Sequence, residues 1–218
     1  MTLELINYLE YKKIIPQKGK VILGQQHNDF IVVYQAYNKQ ISEYAICNQK
    51  LGGSHFSYNR MSWIKPNFLW MMYRCGWAEK ENQANVIAIW IKKTDFETIL
   101  ENAVYSSYQN DIYESREVWK KELEEKEVRL QWDPDHGPFG NKLERRAIQL
   151  GLKGKILKSF GEDMIHKIED ITDFVKVQRK FVVQKELEKL NIPKEEIYIT
   201  TSKKLNVKLG IKTAANTC

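Results

Sequence analysis

The chain has 218 residues, 43% of them hydrophobic, which is enough for one domain with a full core. No stretch reaches the roughly 20 uninterrupted apolar residues of a membrane helix; the apolar windows around Trp70 and Ile89 are broken by Arg74, Lys92 and Lys93. Met1–Glu10 carries acidic residues where a secretory leader has a basic flank and an apolar run, so a cytoplasmic protein with no membrane partner is expected.

In chain order, residues 21–23 and 30–37 are rich in Ile, Val and Tyr and flank the polar turn 25–29, which predicts a hairpin or two adjacent strands. Asn38 is placed to cap a helix in which Ile41, Tyr44, Ala45 and Asn48 recur at helical spacing, with Gly52-Gly53 as its stop. Pro66 opens a second helix over 67–74, apolar almost all round and therefore buried. Residues 86–91 form a β-branched run. Thr94 and Glu97 then have the capping-box spacing of a helix through Asn102. Ser115 caps a helix to Glu125 with Val118, Trp119 and Leu123 as its apolar stripe. Residues 128–132 alternate as a half-buried strand that Pro134 ends, and 147–150 reads as another. Thr172 or Asp173 caps the last long helix, with Phe174, Val177, Phe181 and Leu187 as its stripe and an end near Asn191-Ile192-Pro193. Strands mixed with helices but few regular βαβ units favour an α+β fold.

Charge divides the chain. Residues 174–218 hold ten Lys or Arg against four Glu, so the net +6 of the whole chain lies there and residues 1–173 are neutral. The expected organisation is a domain over 1–190 and a basic C-terminal tail over 191–218, either a solvated lysine-rich end or an electrostatic contact for nucleic acid. Cys47, Cys75 and Cys218 are widely spaced, with no CxxC pair and no histidine at ligand spacing, which argues against zinc and a disulfide framework.

Three segments carry polar groups where a plain core has no use for them. In Tyr34-Gln35-Ala36-Tyr37, at the end of an apolar strand, Gln35 and Tyr37 share one face and Tyr34 and Ala36 the other. The segment from Arg60 through Ser62, Trp63, Lys65 and Pro66 to Arg74 mixes cations and a hydroxyl with large apolar side chains. Its cations suit phosphate or carboxylate and its indoles suit a flat ring, but a core helix with ion-paired arginines fits the same pattern. In Gln131-Trp132-Asp133-Pro134-Asp135-His136, Gln131 and Asp133 fall on one face of a strand, within reach of one ligand. Asp133, Asp135 and His136 could instead hold a metal, although Asp-Pro-Asp is ordinary turn chemistry and no metal is expected. His27, His55 and His166 have no triad-like company, and no GxSxG, P-loop or GxGxxG occurs.

The runs Ile31-Val32-Val33-Tyr34-Gln35-Ala36-Tyr37, Arg60-Met61-Ser62-Trp63-Ile64-Lys65-Pro66 continuing to Arg74 with Gly76-Trp77, and Val128-Arg129-Leu130-Gln131-Trp132-Asp133-Pro134 resemble the domain-of-unknown-function 4291 family, from about residue 20 to about 180. That family in turn resembles the ADP-ribosyltransferase superfamily. The likeness implies a central, mostly antiparallel split sheet with flanking helices, and NAD as substrate for transfer of ADP-ribose to a protein or nucleic-acid acceptor. It places Tyr34 and Gln35 where the superfamily's first strand anchors NAD, with Gln35 departing from the usual residue. Ser62 falls where a hydroxyl holds the nicotinamide ribose. Gln131-Trp132-Asp133 has the spacing of the late catalytic motif, with Asp133 as a shorter final acid. Arg60, Trp63 and Arg74, read from their charge and aromatic face, complete the expected nucleotide-binding set, and Arg60 or Glu127 could stand in for the residues that depart from the superfamily pattern. The alternative is a non-catalytic nucleotide- or RNA-binding module in which the same aromatics stack bases.

Overall fold

A computed structural model describes residues Met1–Ile211. In chain order its elements are β1 (Leu5–Asn7), α1 (Tyr8–Ile14), β2 (Gly19–Lys20), β3 (Ile22–Gly24), β4 (Gln26–His27), β5 (Phe30–Tyr37), α2 (Lys39–Asn48), β6 (Ser62–Ile64), α3 (Phe68–Cys75), β7 (Asn85–Lys92) and α4 (Lys93–Glu101). There follow β8 (Ala103–Tyr105), α5 (Arg116–Glu125), β9 (Val128–His136), β10 (Lys142–Leu152), α6 (Gly154–Ser159), β11 (Ile165–Asp170), α7 (Thr172–Gln184), β12 (Asn191–Pro193), β13 (Glu196–Tyr198) and α8 (Lys203–Leu209). A π-helical turn over Phe160–Met164 links α6 to β11. No helix among the described residues is long and apolar enough to cross a membrane.

Two principal sheets carry this α+β fold. One is antiparallel in the order β11-β7-β5-β4. The other, β2-β10-β9-β8 with β6 also on β10, is mixed, because β2 and β8 run parallel to their neighbours. The central strands β5 and β7 of the first sheet are buried on both faces, so they read as continuous apolar runs rather than alternating ones. Ile31, Val33, Ile87 and Ile89 face the core shared with Leu130, Ile148 and Leu150 of the second sheet and with Phe96 and Ile99 of α4. Val32, Tyr34, Ala88 and Trp90 face Tyr11 of α1, Phe68 and Met72 of α3, and Val175 of α7. The sheets meet at one seam. Residues 62–64 pair with β10, and one residue later Lys65 exchanges backbone hydrogen bonds with Tyr34 of β5 (2.7 and 3.3 Å). Backbone pairing between β5 and this segment stops at that bridge, and Gln35–Tyr37 and Ser62–Trp63 beyond it line a cleft.

Several expected elements form as read. Asn38 accepts from the Ile41 amide to cap α2, Ser115 caps α5 through Val118, and α3 is buried except for Tyr73 and Arg74. Other readings are corrected. The hairpin is β4 with β5, while β3 turns away to pair with β13. Helix α2 stops at Gln49, itself left-handed at φ 54°, before the glycines are reached. The Thr94–Glu97 capping box does not form, because α4 already starts at Lys93 with Lys92 as its N-cap and Thr94 lies inside the helix. The Glu97 carboxylate instead accepts from the Thr201 amide and hydroxyl and from the Tyr198 hydroxyl. Pro134 does not end its strand. It lies past Leu130, where β9 has lost β8 as a neighbour, and opposite a register shift in β10, so its missing N–H removes nothing from the ladder. The buried face of α7 runs Val175, Gln178, Val182, and Val177 is exposed.

Residues 191–211 are not a loose tail. β12 and β13 pair with β1 and β3, and Ile192, Tyr198, Leu205 and Leu209 are buried. These buried side chains are spread too sparsely in sequence to show a period, and Ile197, Ile199 and Val207 between them are exposed. Cys218 and the end of the predicted tail lie outside the described residues.

Candidate functional site

Three elements converge on the cleft. β5 supplies Gln35 and Tyr37, β6 with its flanking residues supplies Arg60, Ser62, Trp63 and Lys65, and α3 supplies Arg74; together they line a cavity of about 450 Å³. That is within the ~300–1,000 Å³ range of small-molecule sites. The period of two along β5 produces this lining: Tyr34 points into the core against Phe68, so Gln35 points the other way. Gln35 Nε2 donates to Ser62 Oγ (2.8 Å) and to the Trp63 carbonyl (3.3 Å). The Tyr37 hydroxyl lies 2.8 Å from the same Ser62 Oγ. Burial raises the Tyr37 phenol, so it is a neutral hydrogen-bonding group here. Gln35 is 2% exposed, and its Oε1 has no partner among the described residues. Burying an amide oxygen in this way costs about 1–3 kcal/mol.

The cavity is cationic. Arg60, Lys65 and Arg74 all line it, and none forms an ion pair among the described residues. Lys65 is buried, and that burial together with the Arg74 charge lowers its ammonium to about 8. Trp63 lies across β10 because its pairing partner there is Gly151: a Cβ at that position would come within 2.9 Å of the indole.

Gln149 of β10 also lines this cavity and connects it to the late motif. Its amide donates to Gln131 Oε1 (2.7 Å) and to Asp133 Oδ2 (2.6 Å). The register explains the contact, since Gln149 is directly opposite Gln131 and Asp133 is two residues along the same face. Asp133 Oδ1 has no hydrogen-bond donor among the described residues. Gln131 and Asp133 in turn line a neighbouring cavity of about 540 Å³ with Lys20, Ser107, Trp132 and Arg146.

Residues 21–198 match the family described as Domain of unknown function (DUF4291). The chain belongs to the DUF4291 family. No curated protein matches the sequence.

Of the residues expected at the site of this DUF4291 chain, Gln35, Arg60, Ser62, Trp63 and Arg74 line one cavity, and Gln149 ties Gln131 and Asp133 to its edge. Tyr34 is the exception. Its ring is wholly buried under α3 and contributes to the core rather than to the cleft. The metal alternative is replaced by two structural roles. Asp135 forms a buried ion pair with Arg145 (2.6 Å), and His136 stacks on Tyr73 of α3 (centroids 3.5 Å apart) and beside Trp70. Lys65, one of the cations read as suited to phosphate or carboxylate, also lines the cavity, and Gln149 is a lining residue outside the expected set. Nothing local marks Gln149, whose position depends on strand register.

A second polar cluster supports the site from behind. Glu195, fully buried, accepts from the Tyr11 hydroxyl (2.6 Å), from Asn67 Nδ2 (2.9 Å) and from the Phe68 amide at the first turn of α3. Asn67 itself caps α3 through the Trp70 amide. The DUF4291 helix that carries Arg74 is thus held at its start by a side chain from the C-terminal segment. Burial pushes the Glu195 carboxyl up to about 8.

Proposed function

We propose that this chain is an NAD-dependent ADP-ribosyltransferase with an ADP-ribosyltransferase-like split sheet, acting on a protein or nucleic-acid acceptor. One observation carries the reading: Gln149 lines the cationic cleft and holds Gln131 and Asp133 at its edge. A cationic cleft and a carboxylate therefore adjoin, although Gln35 and Asp133 lie almost a hundred positions apart. The donor set suits NAD. Arg60 and Arg74 match a pyrophosphate, Trp63 offers an aromatic face, and the unpartnered Gln35 Oε1 suits an N–H or O–H donor.

In the transfer, the bond between nicotinamide and ribose C1′ breaks, the base leaves with the bonding electron pair, and positive charge spreads over the ribose ring. An acceptor nucleophile then bonds to C1′ and loses its proton. Asp133 has the role of electrostatic stabiliser, its unpartnered Oδ1 taking the ribose 2′-hydroxyl while Gln149 holds Oδ2 in place. This clamp bears on the missing methylene, because it fixes a short side chain in one orientation. Ser62 holds the ribose, and Gln131 lies toward the acceptor. Gln35 replaces the superfamily's usual anchor, and the charge that residue lacks is present in Arg60 and Arg74.

Asp133→Asn keeps shape and removes charge. Nicotinamide release should fall about a hundred-fold to a thousand-fold while NAD binding survives. A non-catalytic nucleotide- or RNA-binding module is the second reading, favoured by the fact that among the described residues no carboxylate lines the cationic cavity itself. A wild-type chain that binds NAD or RNA in a thermal-shift titration but releases no nicotinamide with any acceptor would establish that second reading and end the first.

A further inference from the structure

The cleft holds a buried amine that the transfer chemistry does not use. Lys65 is 3% exposed, and its backbone is locked to Tyr34 in both directions across the seam. Its side chain lines the cavity and forms no ion pair among the described residues. The groups acting on it are Arg74 and Cys75 from α3 and Asp133 from β9. Burial is the largest influence and Arg74 the next, and both oppose the ammonium charge. A lysine used for solubility stays hydrated, and one used for structure is paired. A buried lysine facing a cavity beside an arginine has a sizeable neutral fraction near physiological pH, which is the state of an amine nucleophile. Arg60 and Arg74 on the same cavity suit a phosphate, and the buried Gln35 Oε1 suits a hydroxyl donor.

We propose that Lys65 Nζ is a nucleophile toward the aldehyde carbon of a phosphate-bearing sugar, with Arg60 and Arg74 holding the phosphate. The neutral amine adds to the carbonyl carbon and its proton passes to the carbonyl oxygen. The resulting carbinolamine expels water and leaves an imine, so amine plus aldehyde gives imine plus water and no oxidant or reductant takes part. Two sources share this chemistry. One is a small phosphorylated aldose. The other is free ADP-ribose, whose terminal ribose opens at its free anomeric carbon to an aldehyde; only this second source rests on the transferase reading.

The test treats the full chain with glyceraldehyde 3-phosphate, unphosphorylated glyceraldehyde or ADP-ribose in the presence of cyanoborohydride, whose hydride reduces an imine to a stable secondary amine, and maps the adducts by peptide mass. Lys65 should be labelled on the order of ten-fold faster than exposed lysines, because its ~100-fold larger neutral fraction is partly offset by its weaker basicity. It should prefer the phosphorylated aldehyde. Arg60→Gln should abolish that preference, and Lys65→Arg, which keeps the charge, should lose the fast adduct. Trapping by glyceraldehyde 3-phosphate in a chain that releases no nicotinamide would uphold this site while the transferase reading fails. Labelling of exposed lysines with Lys65 untouched, or equal rates at Lys65 with and without the phosphate, would overturn the proposal.

Discussion

Ending the chain after Leu190 should abolish folding. The cut removes β12, β13 and α8, and with them the buried side chains of Ile192, Tyr198, Leu205, Leu209 and Ile211. At about 1.5–3 kcal/mol for each fully buried side chain, these five sum to roughly 7–15 kcal/mol. An extended-chain reference makes this an upper estimate. The whole stability of a domain is only ~5–15 kcal/mol, so the loss is comparable to everything available. The cut also takes Glu195 from the start of α3 and strips the Tyr105 hydroxyl and the Trp132 indole N–H of their shared acceptor, the Leu209 carbonyl. Far-UV circular dichroism and thermal melting of the shortened chain measure the effect. Leu209→Ala provides a graded version, with an expected cost of about 2–5 kcal/mol. A shortened chain that melts cooperatively within a few degrees of the full one would refute the view that this segment completes the core.

Ser62→Ala removes the acceptor of the Gln35 amide and the partner of the Tyr37 hydroxyl. It should raise KM for NAD several-fold, the equivalent of ~1 kcal/mol, with kcat little changed; an equal fall in kcat would move Ser62 into the chemical step. Glu195 supplies a pH test. Its carboxyl is raised to about 8 in the folded chain, so the stability it contributes is complete below its unfolded pKa of ~4.3 and is lost as pH rises through the folded value. The melting temperature of the wild type should therefore carry a decline between about pH 5 and about pH 8.5 that Glu195→Gln lacks, and identical slopes for the two would contradict the burial of an ionisable group there.

Features that depend on neighbours along the chain were legible in the residues. Asn38 and Ser115 cap their helices because an N-cap needs only a side-chain oxygen and the next three amides. The alternation that sends Gln35 and Tyr37 away from Tyr34 is a property of any extended strand. By the same rule Gln131 and Asp133 share a face before anything is known of their neighbours. Tyr34 shows the limit of that reasoning: the period separates the two faces of β5, but only the packing of α3 and α7 decides that its face is core.

Tertiary structure decided which distant segments meet. The opposition of Gln149 to Gln131 follows from the β9–β10 register, and the cleft exists because the 62–64 strand pairs with β10 while Lys65 touches β5. Glu195 reads locally as one more charge in a basic segment, and it becomes the anchor of α3 only when β12 and β13 carry it inside. Strand register, burial of a charge and the seam between two sheets are set by contacts across long sequence separations, where neither helical nor strand periodicity carries information.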